Sequence, residues 1–188
     1  MFLKTTLQGN VVWAKRFKPA LTVGTAINTA CSFSSIHKTS DGGILISGDA
    51  LDTLGTGCSK HIQVVKLDSL GNIIWSKTII GSGCGGTLLP GTSFQTSNGD
   101  FIVLGQYFYT NNNMGYQPIL KMNINGDILW YKGFKNIAIT GVAEINGNYL
   151  LGSSFFDPVW GKRTGISMID SSGNPISDLT FQGNNYNS

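Results

Sequence analysis

Apolar residues in this chain come in short runs of about five, separated by clusters of Asp, Asn, Gly and Ser. One arrangement recurs four times. Thr6-Leu7-Gln8-Gly9-Asn10-Val11-Val12-Trp13-Ala14-Lys15 is matched by Asp68-Ser69-Leu70-Gly71-Asn72-Ile73-Ile74-Trp75-Ser76-Lys77. Asn123-Ile124-Asn125-Gly126-Asp127-Ile128-Leu129-Trp130-Tyr131-Lys132 is the third copy. The fourth, Asp170-Ser171-Ser172-Gly173-Asn174-Pro175-Ile176-Ser177, keeps the turn but has lost the tryptophan. A short apolar stretch precedes each turn: Ile62 to Leu67, Ile119 to Met122 and Ile166 to Ile169, with Met1 to Thr5 as its remnant in the first copy. Strand, glycine-bearing turn and strand make a hairpin. The Asx side chain bonds the backbone ahead of it, and glycine accepts the positive φ that the turn requires.

A second hairpin alternates with the first. Its turns are Thr39-Ser40-Asp41-Gly42-Gly43, Thr96-Ser97-Asn98-Gly99-Asp100 and Ile145-Asn146-Gly147-Asn148, each followed by an apolar strand ending in glycine. Each full repeat therefore predicts four antiparallel strands, at about 32–38, 43–49, 62–67 and 73–79 in the first. The second and third run at about 92–96, 101–106, 118–123 and 128–134, then 139–145, 148–153, 165–170 and 175–181.

Four-stranded repeats at a spacing of ~50 residues describe the blades of a β-propeller. Strands apolar on both faces, such as Ile73-Ile74-Trp75 and Ile128-Leu129-Trp130, suit a blade held between two neighbours better than a sheet with one wet face. A solenoid or a two-sheet sandwich fits the pattern less well. The expected fold is all-β, about three and a half blades of a larger propeller. Residues 1–17 form a partial blade holding only the outer hairpin, 18–79 the first full blade with its preceding loop, 80–134 the second, and 135–188 the third with a C-terminal tail. Trp13, Trp75 and Trp130 are expected to plug the gaps between blades, each indole N–H finding one acceptor. Three and a half blades do not close a ring. The missing blades are expected from a longer chain or from self-association, although two copies would lack the same strands.

Composition agrees and excludes alternatives. Of 188 residues 25 are Gly and 12% are charged, and Glu144 is the one glutamate, which argues against long helices and coiled coils. Lys and Arg exceed Asp and Glu by 13 to 10, but only Lys15-Arg16 and Lys162-Arg163 are adjacent, so no basic stripe for nucleic acid is present. No apolar run reaches the ~20 residues of a membrane helix, and the N-terminus lacks the apolar core and cleavage site of a signal peptide. That leaves a cytoplasmic protein, or a Met1 that opens a processed or truncated chain.

The run Val65 to Lys77, with Asp68, Gly71, Asn72 and Trp75, resembles the repeat of large secreted bacterial β-propeller proteins, and Thr39 to Gly48 resembles its other half. The Asp-x-x-Gly-x-x-x-Trp core is also similar to the tryptophan-docking motif of quinoprotein-type propellers. The resemblance implies export to the cell surface or medium, and such repeats occur in adhesins and binding modules. The fourth copy departs at Pro175 and Ser177, so the last blade is expected to pack less regularly.

Function falls to the long connections at the end opposite the tight turns. Tyr107, Tyr109, Tyr116, Phe156, Asp157, Trp160 and Arg163 lie in or beside the segments Tyr107 to Gln117 and Ser154 to Thr164, and form the candidate surface for a glycan or protein ligand. Trp160, beside Asp157 and Lys162-Arg163, is the first choice of contact. The histidines His37 and His61 match no metal motif, the acids form no catalytic pair, and Gly81 to Gly86 lacks the Lys-Ser/Thr of a phosphate loop. No cofactor and no metal are expected. A non-catalytic binding or adhesion module is the leading reading. A quinoprotein-like or glycan-active enzyme domain with residues outside this chain is the alternative. Cys31, Cys58 and Cys84 fall on the same predicted face, so one disulfide is expected, Cys58–Cys84, with Cys31 spare. Cys31–Cys58 is the second choice, and three reduced thiols would mark a cytoplasmic protein.

Overall fold

A computed structural model describes residues 2–16, 31–51, 60–79, 86–109, 116–135, 137–157 and 161–181. Among these residues every regular element is a β-strand. A lone hairpin comes first, β1 (Phe2–Thr5) and β2 (Val11–Lys15). Three four-stranded antiparallel units follow in chain order. The first is β3 (Cys31–Lys38), β4 (Ile44–Leu51), β5 (Lys60–Leu67) and β6 (Ile73–Ile79). The second is β7 (Gly86–Gln95), β8 (Phe101–Tyr109), β9 (Tyr116–Met122) and β10 (Ile128–Lys135). The third is β11 (Ile137–Ile145), β12 (Asn148–Asp157), β13 (Gly161–Ile169) and β14 (Pro175–Phe181). A single parallel bridge, Lys60↔Thr87, joins the first two full units into one eight-stranded sheet.

The turns explain the registers. Gly71 N–H donates to Asp68 O at 3.1 Å and Asp68 N–H to Asn72 O at 2.9 Å, and the same pair of bonds recurs at Thr6, Thr39, Thr96, Asn123 and Asp170. This is a type I turn followed by a glycine at positive φ, which leaves one extra residue on its strand. The register shifts at Lys4/Thr5, Lys66/Leu67, Ile128/Trp130 and Met168/Ile169 lie beside these turns. The tightest turn is Asn146-Gly147, with φ of 50° and 77°, the two-residue form in which both central residues are left-handed.

Three apolar seams run between successive units, and they constitute the core. Ile46, Val65 and Leu67 pack against Phe2, Trp13, Phe33 and Ile44. Leu45, Ile62, Val64 and Ile79 meet Phe101, Val103, Leu120 and Met122, with Trp75 at the margin. Ile102, Leu104 and Ile119 meet Ile139, Tyr149, Leu151 and Ile169, with Trp130 at the margin. The middle strands of the first two full units are consequently buried on both faces, from His61 through Leu67 and from Phe101 through Gly105. In β12 burial alternates, Tyr149, Leu151 and Ser153 buried and the residues between them half-buried.

Two expectations require correction. The outer strands are not covered on both faces: Ile73, Ile74, Ile128 and Leu129 are about half exposed. The connections are also shorter than expected. β8 runs on through Tyr109 and β9 starts at Tyr116, while β12 reaches Asp157 and β13 starts at Gly161. Tyr and Phe are strong strand formers, and the pairs Gly86↔Tyr109 and Asp157↔Gly161 carry the ladders to those ends. The last unit pairs as regularly as the others despite Pro175, which opens β14 where a missing N–H is tolerated. What it loses is cover, since Pro175 through Leu179 are exposed.

Candidate functional site

The predicted contact residues fall into two groups. Tyr107, Tyr109 and Tyr116 stand in β8 and β9 of the second full unit, opposite Leu88, Gly86 and Lys135 respectively. Phe156 and Asp157 end β12 and Arg163 lies in β13, with Phe156↔Lys162, Asp157↔Gly161 and Phe155↔Arg163 in register. All six are strand residues at the end of the units away from the tight turns, not loop residues. Trp160 and the pair Cys58 and Cys84 lie outside the described residues, and Cys31 opens β3. His61 is buried in β5 and His37 is half-buried in β3, and among the described residues no three His, Cys, Asp or Glu side chains gather to hold a metal.

The three tryptophans share one kind of seat. Each lies on the second strand of its hairpin and reaches the corresponding turn of the following unit. A Cβ placed on Gly71 would come within 2.8 Å of the Trp13 ring, and one on Gly126 within 2.9 Å of Trp75. On Gly173 the nearest atoms are Lys132 Cγ at 2.9 Å and the Trp130 ring at 3.2 Å. These turns need glycine twice over, for positive φ and for the indole that lies against them. Trp75 Nε1–H donates to Ile124 O at 2.8 Å and Trp130 Nε1–H to Ser171 O at 2.9 Å. Trp13 differs: the matching acceptor, Ser69 O, takes Lys4 Nζ at 3.0 Å, and Trp13 Nε1 is buried with no hydrogen-bond partner among the described residues. A lysine two residues after each tryptophan completes the seat. Lys15 donates to Asn72 Oδ1 at 2.7 Å, Lys77 stands 3.5 Å from Asp127, and Lys132 donates to Asn174 Oδ1 at 3.2 Å.

A second inter-unit latch joins the other turns. Ser40 N–H donates to Gln95 Oε1 at 2.6 Å, and Ser97 gives its N–H and hydroxyl to the Glu144 carboxylate at 2.6 and 2.8 Å. Gln95 and Glu144 hold the same place, one residue before the turn, in successive units. The repeat alignment carries that signal, since Gln95 and Glu144 each stand directly before the turn residues of their hairpins. Between β7 and the strands β3 and β4 of the unit before it the contacts are small and polar: Ser93 Oγ lies 3.3 Å from Ser35 Oγ and accepts from Ser47 Oγ at 3.1 Å.

Buried charge serves the units themselves. Lys66 is 1% exposed and donates to both Asp41 oxygens, at 3.0 and 2.9 Å, and to Leu67 O. Asp41 also accepts from Thr39 Oγ1 at 2.5 Å and Gly43 N–H at 3.0 Å. The Lys66 bond, followed by that from Thr39, lowers the Asp41 pKa to about 2. Lys121 stands 3.3 Å from Asp100 in the corresponding place one unit on. Asp68 and Asp170 are lowered as well, chiefly by the backbone N–H groups of Asn72 and Asn174 in their own turns.

No protein-family model matches the chain, and no curated protein matches it. Among solved structures it is similar to a protein of unknown function from Bacteroides caccae, with a TM-score of 0.52 and 16% identity over 94% of this chain. That match covers 52% of the other protein, so this chain spans about half its length. At that identity the likeness concerns the fold alone.

Proposed function

We propose that this chain is a non-catalytic binding or scaffold module of an exported or surface protein, built from β-propeller blades of the tryptophan-docking kind. The observation that carries the reading is the change in seam filling across each unit. Serine hydroxyls meet at the inner strands, where Ser35, Ser47 and Ser93 lie within hydrogen-bond distance. An indole is needed at the outer strands, where Trp75 reaches the Gly126 turn. A seam that widens from a hydroxyl to an indole is a wedge, and wedges stacked face to face fan around an axis as blades do.

Such a scaffold holds its turn end rigid by latches and presents the opposite end, with Tyr107, Tyr109, Tyr116, Phe156, Asp157 and Arg163, to a glycan or protein ligand. Aromatic residues at the strand ends of a rigid frame suit stacking on sugar rings or apolar side chains. A glycan array probed with the intact chain tests this. Binding that falls at least about tenfold in Tyr109→Ala and Asp157→Ala, with unchanged thermal stability, is the expected result. Binding indifferent to both substitutions refutes the surface, and turnover of a bound sugar refutes the non-catalytic reading.

A further inference from the structure

The Gly9 turn is built like the three occupied seats, and no described residue fills it. Thr6 N–H donates to Asn10 O at 2.8 Å and Gly9 N–H to Thr6 O at 3.0 Å, the bond pattern found at Asp68, Asn123 and Asp170. The Gly9 φ of 84° compares with 76°, 80° and 79° at Gly71, Gly126 and Gly173. An indole or its lysine crowds each of those three glycines, whereas among the described residues nothing lies within 4 Å of a Cβ placed on Gly9. Asn10 occupies the place of Asn72, Asp127 and Asn174, each of which meets a lysine. Leu7, whose carbonyl stands where Ile124 O and Ser171 O accept an indole, has a fully exposed side chain.

A second observation marks the same surface. Leu3 corresponds by register to Val65 and Leu120, since each lies opposite the residue after the tryptophan, in the pairs Leu3↔Ala14, Val65↔Ser76 and Leu120↔Tyr131. Val65 and Leu120 are 2% and 0% exposed beneath the unit that precedes them, while Leu3 is 54% exposed. Seat and apolar face both await the same neighbour.

We infer that the Gly9 turn and Leu3 form a docking site for a further unit of the same repeat, carried on polypeptide outside these 188 residues. Its closing strand bears tryptophan with lysine two residues on. The rule within the chain is that a seat takes the Trp-x-Lys strand of the unit ahead of it, and the chemistry left open at Gly9 is that of the three filled seats. The closing strands of a second copy do not supply it. Trp13, Trp75 and Trp130 already occupy their own chain's seats, the last unit carries Ser177 and Leu179 where the others carry Trp and Lys, and Trp160, the fourth tryptophan, falls in sequence between β12 and β13, not on a closing strand, and lies outside the described residues. The site is independent of whatever binds at the opposite end of the units.

Grafting the missing donor tests the inference on the full chain. Ser177→Trp with Leu179→Lys gives the last strand the pattern the seat receives, so copies should join head to tail. Sedimentation velocity over a dilution series should show self-association at least about tenfold tighter than for the wild-type chain. Gly9→Asn should abolish the gain, because asparagine tolerates positive φ while its side chain fills the seat. Leu3→Asp should weaken it. If the double variant does not fold, as judged by far-UV circular dichroism, Ser177→Trp alone must show the same Gly9-dependent association. Association no tighter than wild type in the folded variant, or a gain that survives Gly9→Asn, overturns the assignment.

Discussion

Gly126→Ala separates the tryptophan seat from ordinary turn chemistry, provided it is measured beside Gly42→Ala. Both glycines close the same kind of turn, with φ of 80° and 78°, so each alanine meets the same left-handed backbone penalty of about 1–2 kcal/mol. The surroundings differ. The new methyl at position 42 has no described residue within 4 Å, whereas at position 126 it falls 2.9 Å from Trp75 Cδ2, 3.0 Å from Cε3 and 3.1 Å from Lys77 Cε. The indole must move away, which adds about 1–3 kcal/mol of overpacking. Withdrawal of Nε1–H from Ile124 O adds about 1 kcal/mol more. Gly42→Ala should therefore lose about 1–2 kcal/mol and Gly126→Ala about 3–6 kcal/mol. Urea unfolding followed by circular dichroism and by tryptophan fluorescence measures both, and coincident transitions license the comparison. Equal losses at the two positions would mean that the indole bears no load on the turn, and the wedge argument would fall with it.

Trp75→Phe should cost about 1 kcal/mol, from the lost bond to Ile124 O, and Trp75→Ala about 2–4 kcal/mol, because the half-buried indole also packs against Phe101 at 5.9 Å. A loss under about 0.5 kcal/mol for the alanine variant would put the ring outside the core. Asp41→Ala strands the Lys66 ammonium inside the sheet. The expected loss of about 2–3 kcal/mol lies below that for a fully buried pair, since the Asp41 side chain is 43% exposed. Because the Asp41 carboxyl titrates at about 2 rather than 3.8, its contribution is complete above the higher value and fades as pH falls through the lower one. The stability gap between wild type and Asp41→Asn should accordingly narrow on acidification across that window, and a gap that stays constant would refute the ion pair. Peptide mapping without reductant should find one disulfide per chain, Cys58–Cys84, and three free thiols would count against both the bridge and export.

The amino-acid sequence determined the strands and turns of this protein, because their causes are local. Asp68 caps its own turn, Gly71 accepts a positive φ, and the apolar runs on either side pair across five intervening residues or fewer. The order of hairpins followed from repetition of those signals. The tertiary structure decided what the strands face. Ile73 and Val65 look alike in sequence, yet one is half exposed and the other buried, since a neighbouring unit covers only one of them. Trp13 meets the Gly71 turn from far along the chain, and nothing near Trp13 announces that meeting. Lys66 is named a surface residue by its charge and is buried because Asp41, on the adjoining hairpin, is there to receive it. The extended ladders that place Tyr109, Tyr116 and Asp157 in strands depend on partners across the sheet, at Gly86, Lys135 and Gly161. Burial and seat occupancy are properties of pairs of units, so a motif read one unit at a time shows the tryptophan but not which glycine it will cover, nor that the turn at Gly9 stays open.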